Sequence, residues 1–322
     1  MTLSLGPLEG RVAAAPISWG VCEVPGWGAV LPPARVLSEM RDLGLHATEL
    51  GPPGFLPGDP AALRAMAKRY GMGLVGGFVP LVLHDREQRA ETLEQARRVA
   101  DLFAAVGATV FVTALVQDHG WTRPTPPTAE SMKTVGEGLA EVDEVCAAAG
   151  VVQVLHPHVG TLVETERDVA LALEHTDVRW CLDTGHLRIG GVDPVSFARD
   201  AGDRVAHVHL KDVDVATAAR VLTRELTLVE GVQHGLFRVL GTGDVAVDDV
   251  VVALEERGYE GWYVLEQDVA LTRGLPAEGS GPVEDVQQCL DFLQDKVAQR
   301  LYAAPRRSLP LEGDHVKGTP HR

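Results

Sequence analysis

Short runs rich in β-branched residues alternate with longer amphipathic stretches along the chain, and this rhythm limits the available folds more than any motif does. The strand-like runs cover residues 12–20, 47–51, 73–81, 109–115, 151–158, 178–186, 205–212 and 261–268. Several are nearly continuous in Val, Ile and Leu, the pattern of parallel strands covered by helices. Eight βα units on about 300 residues predict an α/β fold, a (β/α)8 TIM barrel in one domain over residues 1–302. A doubly wound dinucleotide-binding sheet is the rival. No GxGxxG follows an early strand, however, and Gly241-Thr242-Gly243-Asp244 is too short and too late for that role.

The intervening helices carry legible start and stop signals. Asp59-Pro60 and Asp193-Pro194 each set a capping carboxylate before a proline at the first helical position. Asp85 with Gln88 resembles a capping box, and Thr165 with Asp168 a weaker variant. Met132, Val135, Leu139, Val142 and Cys146 step by three or four and predict one buried stripe, and Val286, Leu290, Leu293, Val297 and Leu301 predict another. Gly44, Gly71, Gly107, Gly150 and Gly258 stand where helices end on a left-handed residue. Two segments break the rhythm. Residues 213–247 form an insertion before the last strand, expected to hold a helix around 217–226 and to roof the catalytic mouth. Residues 303–322, rich in Pro, Gly and charge, read as a disordered tail.

Composition narrows the function. With 45 acidic against 29 basic residues the formal charge is -16, so no nucleic-acid partner is expected. No run approaches the roughly 18 apolar residues that span a bilayer, so no membrane partner is expected either. Cys22, Cys146, Cys181 and Cys289 are far apart and form no CxxC pair. The first residues lack a basic flank followed by an apolar run. Together these features predict a reduced, cytoplasmic protein. An uncharged small molecule can approach so acidic a surface without penalty.

In a barrel the reactive side chains sit at the carboxyl ends of the strands. The fifth run ends VLHPHVG, with His156 and His158 on one face, and the sixth ends CLDTGH, with Asp183 at its tip and His186 beyond. The seventh ends HVHLKD, and the period of two puts His207, His209 and Lys211 on one face. The eighth ends VLEQD and offers Glu266 and Asp268, while the second ends TELG and offers Glu49. One such residue at a strand end is usually a cap or a satisfied polar group. Four separate strand ends offering ligand types predict one divalent metal ion held by His156, Asp183, His209 and Glu266. That donor set suits Mn²⁺, Co²⁺, Fe²⁺ or Zn²⁺, and Mg²⁺ or Ca²⁺ less well. Lys211 is expected to touch substrate or to pair with Asp212 or Glu266. Trp19 and Trp262 read as packing residues first, with Trp19 kept as a candidate substrate contact. Cys181 reads as a small buried thiol, and Glu164 and Glu166 as charges at a helix start.

APISWG at 15–20, TELG at 48–51, HPHVGTLVET at 156–165, LDTGH at 182–186, HVHLKD at 207–212 and VLEQD at 264–268 carry a resemblance. Over most of residues 12–270 the chain resembles the xylose-isomerase-like sugar phosphate isomerase/epimerase superfamily. HPHVGTLVET and the stretch VEGVQHGLFRVLGTGDV at 229–245 are similar to its inosose dehydratase branch, whereas LDTGH and HxHxKD are shared with isomerases and epimerases. The resemblance implies metal ligands at Asp183, His209 and Glu266. The fifth-strand ligand is a Glu in the epimerase and isomerase branches, where it also moves protons. His156 stands in that place here, which speaks against two-carboxylate epimerisation. Residues 116–131 do not match the loop expected of the dehydratases.

The resemblance thus implies a metal-dependent lyase of inositol catabolism that dehydrates a cyclic polyhydroxy ketone, 2-keto-myo-inositol or a relative, through an enediolate. Glu266, Glu49, His158 and Lys211 are the candidates for its proton transfers, and His186, His207, Lys211 and Trp19 for substrate contact. The alternative with the same site and the same enediolate is a ketose epimerase or sugar isomerase, which returns a proton to carbon instead of expelling hydroxide. A barrel without catalysis, kept as a binding protein, is the alternative from another class. Homo-oligomers are implied by analogy alone.

Overall fold

The computed structural model describes residues 5–303. Its strands are β1 (Val12–Ala14), β2 (Ala47–Thr48), β3 (Gly73–Leu74), β4 (Gly76–Leu81), β5 (Val110–Leu115), β6 (Val152–Leu155), β7 (Trp180–Asp183), β8 (Val205–Leu210), β9 (Asp212–Val213), β10 (Phe237–Arg238) and β11 (Tyr263–Leu265). Nine of them form one parallel sheet in the order β3-β2-β1-β11-β8-β7-β6-β5-β4. The predicted third strand is interrupted once, at Val75. There the Val75 N–H reaches the Thr48 carbonyl and the Val75 carbonyl accepts from Val110, completing the ring. Gly76 makes this approach feasible, because a Cβ on it would lie 2.0 Å from the Val110 carbonyl oxygen.

The barrel interior is filled by small and β-branched residues, among them Ala13, Ala47, Val75, Val112, Val154, Cys181 and Val264, with Trp262 packed against them. Side-chain alternation sends the bulkier Phe111 and Trp180 to the outer core beneath the helices. Those helices are α1 (Pro33–Asp42), α2 (Pro60–Tyr70), α3 (Arg89–Val106), α4 (Ala129–Ala148), α5 (Glu166–His175), α6 (Thr184–Ile189), α7 (Pro194–Asp200), α8 (Val215–Leu222), α9 (Leu228–Gln233), α10 (Val247–Glu256) and α11 (Pro282–Phe292).

Asp59 and Asp193 cap α2 and α7 as the sequence predicts, and Thr165 and Asp168 form a reciprocal box on α5. Asp85 with Gln88 does not. Helix α3 begins at Arg89 without a side-chain cap, and Asp85 instead accepts from the Glu87 N–H and the Gln88 amide in a turn ahead of it. The α4 stripe is buried throughout. The α11 stripe runs into a π-helical segment, Leu293–Ala298, whose wider turn shifts the register and leaves Leu301 half-buried.

The insertion at 213–247 holds two helices, α8 and α9, where one was expected around 217–226. The split falls at Arg224, in the left-handed region at φ 65°, and Thr227 opens α9 through a capping box with Glu230. β9 and β10 pair antiparallel at the base of the insertion. The Asp212 carboxylate pins its return by accepting the N–H groups of Val213, Gly241, Gly243 and Val245. The predicted tail lies outside the described residues apart from Ala303. Among the described residues, no helix is long and apolar enough to cross a membrane, and the four cysteines are free thiols.

Candidate functional site

Four strand ends bring ligand-type side chains to one buried point. His156 follows β6, Asp183 ends β7, His209 lies in β8 and Glu266 follows β11. Each offers one donor atom, and these atoms all lie within 4.8 Å of one another. His209 Nδ1 is 2.6 Å from Glu266 Oε2, 3.2 Å from His156 Nε2 and 3.6 Å from Asp183 Oδ2. His156 Nε2 is 3.2 Å from Asp183 Oδ2. The backbone holds these positions, because the His156 N–H donates to the Thr113 carbonyl and the Glu266 N–H to Leu210. Asp183 does a second job that the sequence reading missed. It caps α6, its other oxygen accepting the His186 N–H at 2.7 Å.

The cluster suits a divalent cation. Four buried carboxylates, those of Glu49, Asp183, Glu266 and Asp268, gather here with one buried ammonium, Lys211, which lies beside the last three. Buried charge costs several kcal/mol per ion unless it is compensated. His156 Nδ1 and Glu266 Oε2 are also buried without an aligned hydrogen-bond partner. Two imidazoles and two carboxylates converging on one point match the first-row metals better than Mg²⁺ or Ca²⁺.

Lys211 is fully buried beside the donors. Its Nζ lies 2.7 Å from Asp268, 3.2 Å from Glu266, 3.7 Å from Asp183 and 3.3 Å from His186 Nε2. It does not pair with Asp212, since adjacent strand residues face opposite ways. The glycine of LDTGH makes room for it, because a Cβ on Gly185 would fall 2.7 Å from Lys211 Cβ. Burial alone would lower the lysine, but Asp268, Glu266 and Asp183 hold it protonated, well above its ordinary range. Burial pushes the Asp268 carboxyl up to about 6 despite that lysine. Burial would also raise Asp183, yet Lys211 keeps it ionised.

The histidines divide into two classes. Burial lowers His156 and His207, and burial reinforced by His156 and Lys211 pushes His158 down to about 3. Burial together with His158 and Lys211 pushes His186 well below its usual value. His209 is the exception. Burial opposes its charge, but the carboxylates of Glu266 and Glu49 hold it well above the ordinary range. Cys181 contributes no charge near neutrality, because burial pushes its own thiol up to about 12.

An aromatic wall flanks the cluster. The His158 and His186 rings lie 3.9 Å apart, and the Phe78 ring stands 5.7 Å from His156 and 5.6 Å from His158. Trp121 stacks on Phe78 at 6.2 Å and meets His158 at 5.8 Å. Neither Phe78 nor Trp121 was singled out from the sequence, although Trp121 belongs to the unmatched stretch 116–131. Trp121 is 40% exposed and has a φ of 55°, a costly conformation for a bulky residue. Asp118 braces its turn by accepting the Gly120 and Thr122 N–H groups.

The other predicted residues separate clearly. His158, His186 and Lys211 join the cluster, and Glu49 and His207 lie behind His209. Trp19 does not join it. Its indole is fully buried and donates to Glu39 on α1, so it is a packing residue and not the substrate contact expected as an alternative. Glu166 stands in the first turn of α5 as expected, whereas Glu164, ahead of the cap, is a buried carboxylate paired with Arg224 of the insertion. A cleft of about 570 Å³ opens near Trp262, lined by Arg179, Arg257 and Tyr259. It lies at the opposite mouth of the barrel from the cluster.

Comparison with known proteins agrees with this architecture. A family model described as xylose isomerase-like TIM barrel matches residues 37–296. The chain is 31% identical to the inosose dehydratase of Geobacillus kaustophilus, over 92% of this chain and 97% of that one. It is 34% identical to the rhizopine catabolism protein MocC of Rhizobium meliloti, over 80% of this chain and 81% of that one. Among solved structures, an L-ribulose 3-epimerase superposes with a TM-score of 0.66 at 18% identity, covering 93% of this chain and 99% of that one. At that identity the likeness concerns the fold.

Proposed function

The chain belongs to the xylose isomerase-like TIM barrel family, and from that premise we propose that it is a metal-dependent lyase removing water from a cyclic polyhydroxy ketone of the inosose type through an enediolate. The observation that carries this reading is the end-to-end match to an inosose dehydratase, which spans the barrel and not just one motif. The divalent ion, with His156, Asp183, His209 and Glu266 as its ligands, would act as a Lewis acid toward the ketone and the developing negative charge.

The chain's own groups do the rest. Lys211, kept protonated by Asp268 and Glu266, holds the proton that leaves with the β-hydroxyl. Asp268, with its carboxyl near 6, stands 2.7 Å behind it and can return that proton. His158 donates its Nδ1–H to the Val159 carbonyl, which leaves Nε2 as an acceptor. His158 and Glu266 are the two groups available to take the α-proton. Phe78 and Trp121 shield one side from water, and neutral His186 orients the ammonium.

NMR in deuterated buffer, with inosose and several ketohexoses as substrates, tests the reading. An enone formed with loss of water, abolished by EDTA and restored by Mn²⁺ or Co²⁺, is the expected result. Deuterium entering carbon with no water lost would make the protein an epimerase or isomerase instead.

Metal binding itself should depend on pH with a definite sign. In the ion-free cluster His209 carries a proton at neutral pH, because its folded value is raised. Ion and proton compete for the same nitrogen. Isothermal titration with Mn²⁺ in buffers of differing ionisation heat should therefore show about one proton released per ion, and affinity rising about tenfold per pH unit up to the His209 value. Affinity independent of pH between 6 and 8 would contradict His209 as a ligand.

A further inference from the structure

We propose that Glu49 is a positioning residue that selects the tautomer in which His209 offers Nδ1 to the metal centre, and not one of the groups that move substrate protons. The inference rests on the metal-centre reading above and assigns a task within it.

Glu49 lies one residue beyond β2 and is 3% exposed. Its backbone is tied on both sides. The Glu49 N–H donates to the Ala14 carbonyl, and the Thr48 hydroxyl reaches the carbonyls of Ala14 and Glu49. The carboxylate therefore starts from a rigid base. One oxygen, Oε1, lies 2.9 Å from His207 Nε2 and 3.1 Å from His209 Nε2. A carboxylate oxygen in that position accepts, so both Nε2 atoms carry protons. A neutral imidazole protonated at Nε2 has its lone pair on Nδ1. In His209 that nitrogen faces Glu266, His156 and Asp183. The ring thus stands between Glu49 and the other donors.

His207 completes the arrangement. Strand alternation places it two residues before His209 on the same face, with the two rings 5.1 Å apart and edge to face. It holds the shared oxygen from the second side, so Glu49 cannot swing toward the substrate without breaking both contacts. A carboxylate behind a ligating histidine fixes ring orientation and raises donor strength.

Mn²⁺ affinity, the Co²⁺ absorption spectrum and histidine ¹⁵N shifts test this without reference to turnover. Glu49→Ala should bind Mn²⁺ about 10–100-fold more weakly and change the visible bands of bound Co²⁺. Glu49→Gln should lose less, because its amide oxygen still accepts from one imidazole. In the Zn²⁺-loaded wild-type protein, two-bond ¹H–¹⁵N spectra should show His209 protonated at Nε2 and ligating through Nδ1. That measurement stands even if neither variant folds. Wild-type affinity in both variants together with a fall in kcat, or ligation of His209 through Nε2, would overturn the assignment. A wild-type protein that binds no divalent ion would instead overturn the metal centre, and this proposal with it.

Discussion

Replacing Lys211 with methionine should lower kcat for dehydration by about 10²–10⁴-fold, the range that one positioned proton donor supplies. Lys211 Nζ is the only ammonium among the described residues of the cluster, and Asp268, Glu266 and Asp183 all lie within 3.7 Å of it. The same change should destabilise the fold by about 3–5 kcal/mol, because it strands buried carboxylates without their counter-charge. Urea unfolding and single-turnover kinetics separate the two effects. In the double variant Lys211→Met/Asp268→Asn the stranded charge is reduced, so stability should recover in part while kcat stays low. Recovery of both would mean that Lys211 only balances charge. Arginine is not a rescue, since Gly185 is already close against the lysine stem.

The second large effect should follow from Asp183. Asp183→Ala removes a proposed ligand and the cap of α6 together, whereas Asp183→Asn keeps an oxygen able to accept the His186 N–H. Both variants should bind Mn²⁺ more than about 100-fold more weakly than wild type, beyond what losing a group behind the ligands would cost. They should differ by about 1 kcal/mol in unfolding free energy, the worth of the cap. Equal Mn²⁺ affinity in Asp183→Asn and wild type, measured by chelator competition, would remove Asp183 from the ligand set.

Much of this site was legible before any coordinates. Parallel strands buried on both faces leave a strong aliphatic signature, and a barrel places its chemistry where each such run ends, so His156, Asp183, His209, Lys211 and Glu266 stand out. Strand alternation also put His207, His209 and Lys211 on one face correctly. Direction was harder to read. Trp19 follows a strand end as the clustered residues do, yet it turns outward to Glu39 on α1. Phe78 and Trp121 gave no periodic signal, since one lies mid-strand and the other in a loop held by Asp118. The insertion was visible as a break in rhythm, but not its split into two helices, which falls at Arg224, whose side chain pairs with Glu164 across 60 residues of chain.

By itself the sequence determined the rhythm of elements, the strand ends and the ligand types on them, because hydrophobic period and local capping are short-range properties. Only the tertiary structure decided which of those side chains meet. The contact between Glu49 and His209 joins residues 160 apart, and that between Lys211 and Asp268 residues 57 apart. Closure of the barrel sets those distances, through strand register and the close approach at Gly76. The same closure turns one residue of each strand end toward the cluster and its neighbour away, which is why Lys211 faces the carboxylates and Asp212 ties down the insertion.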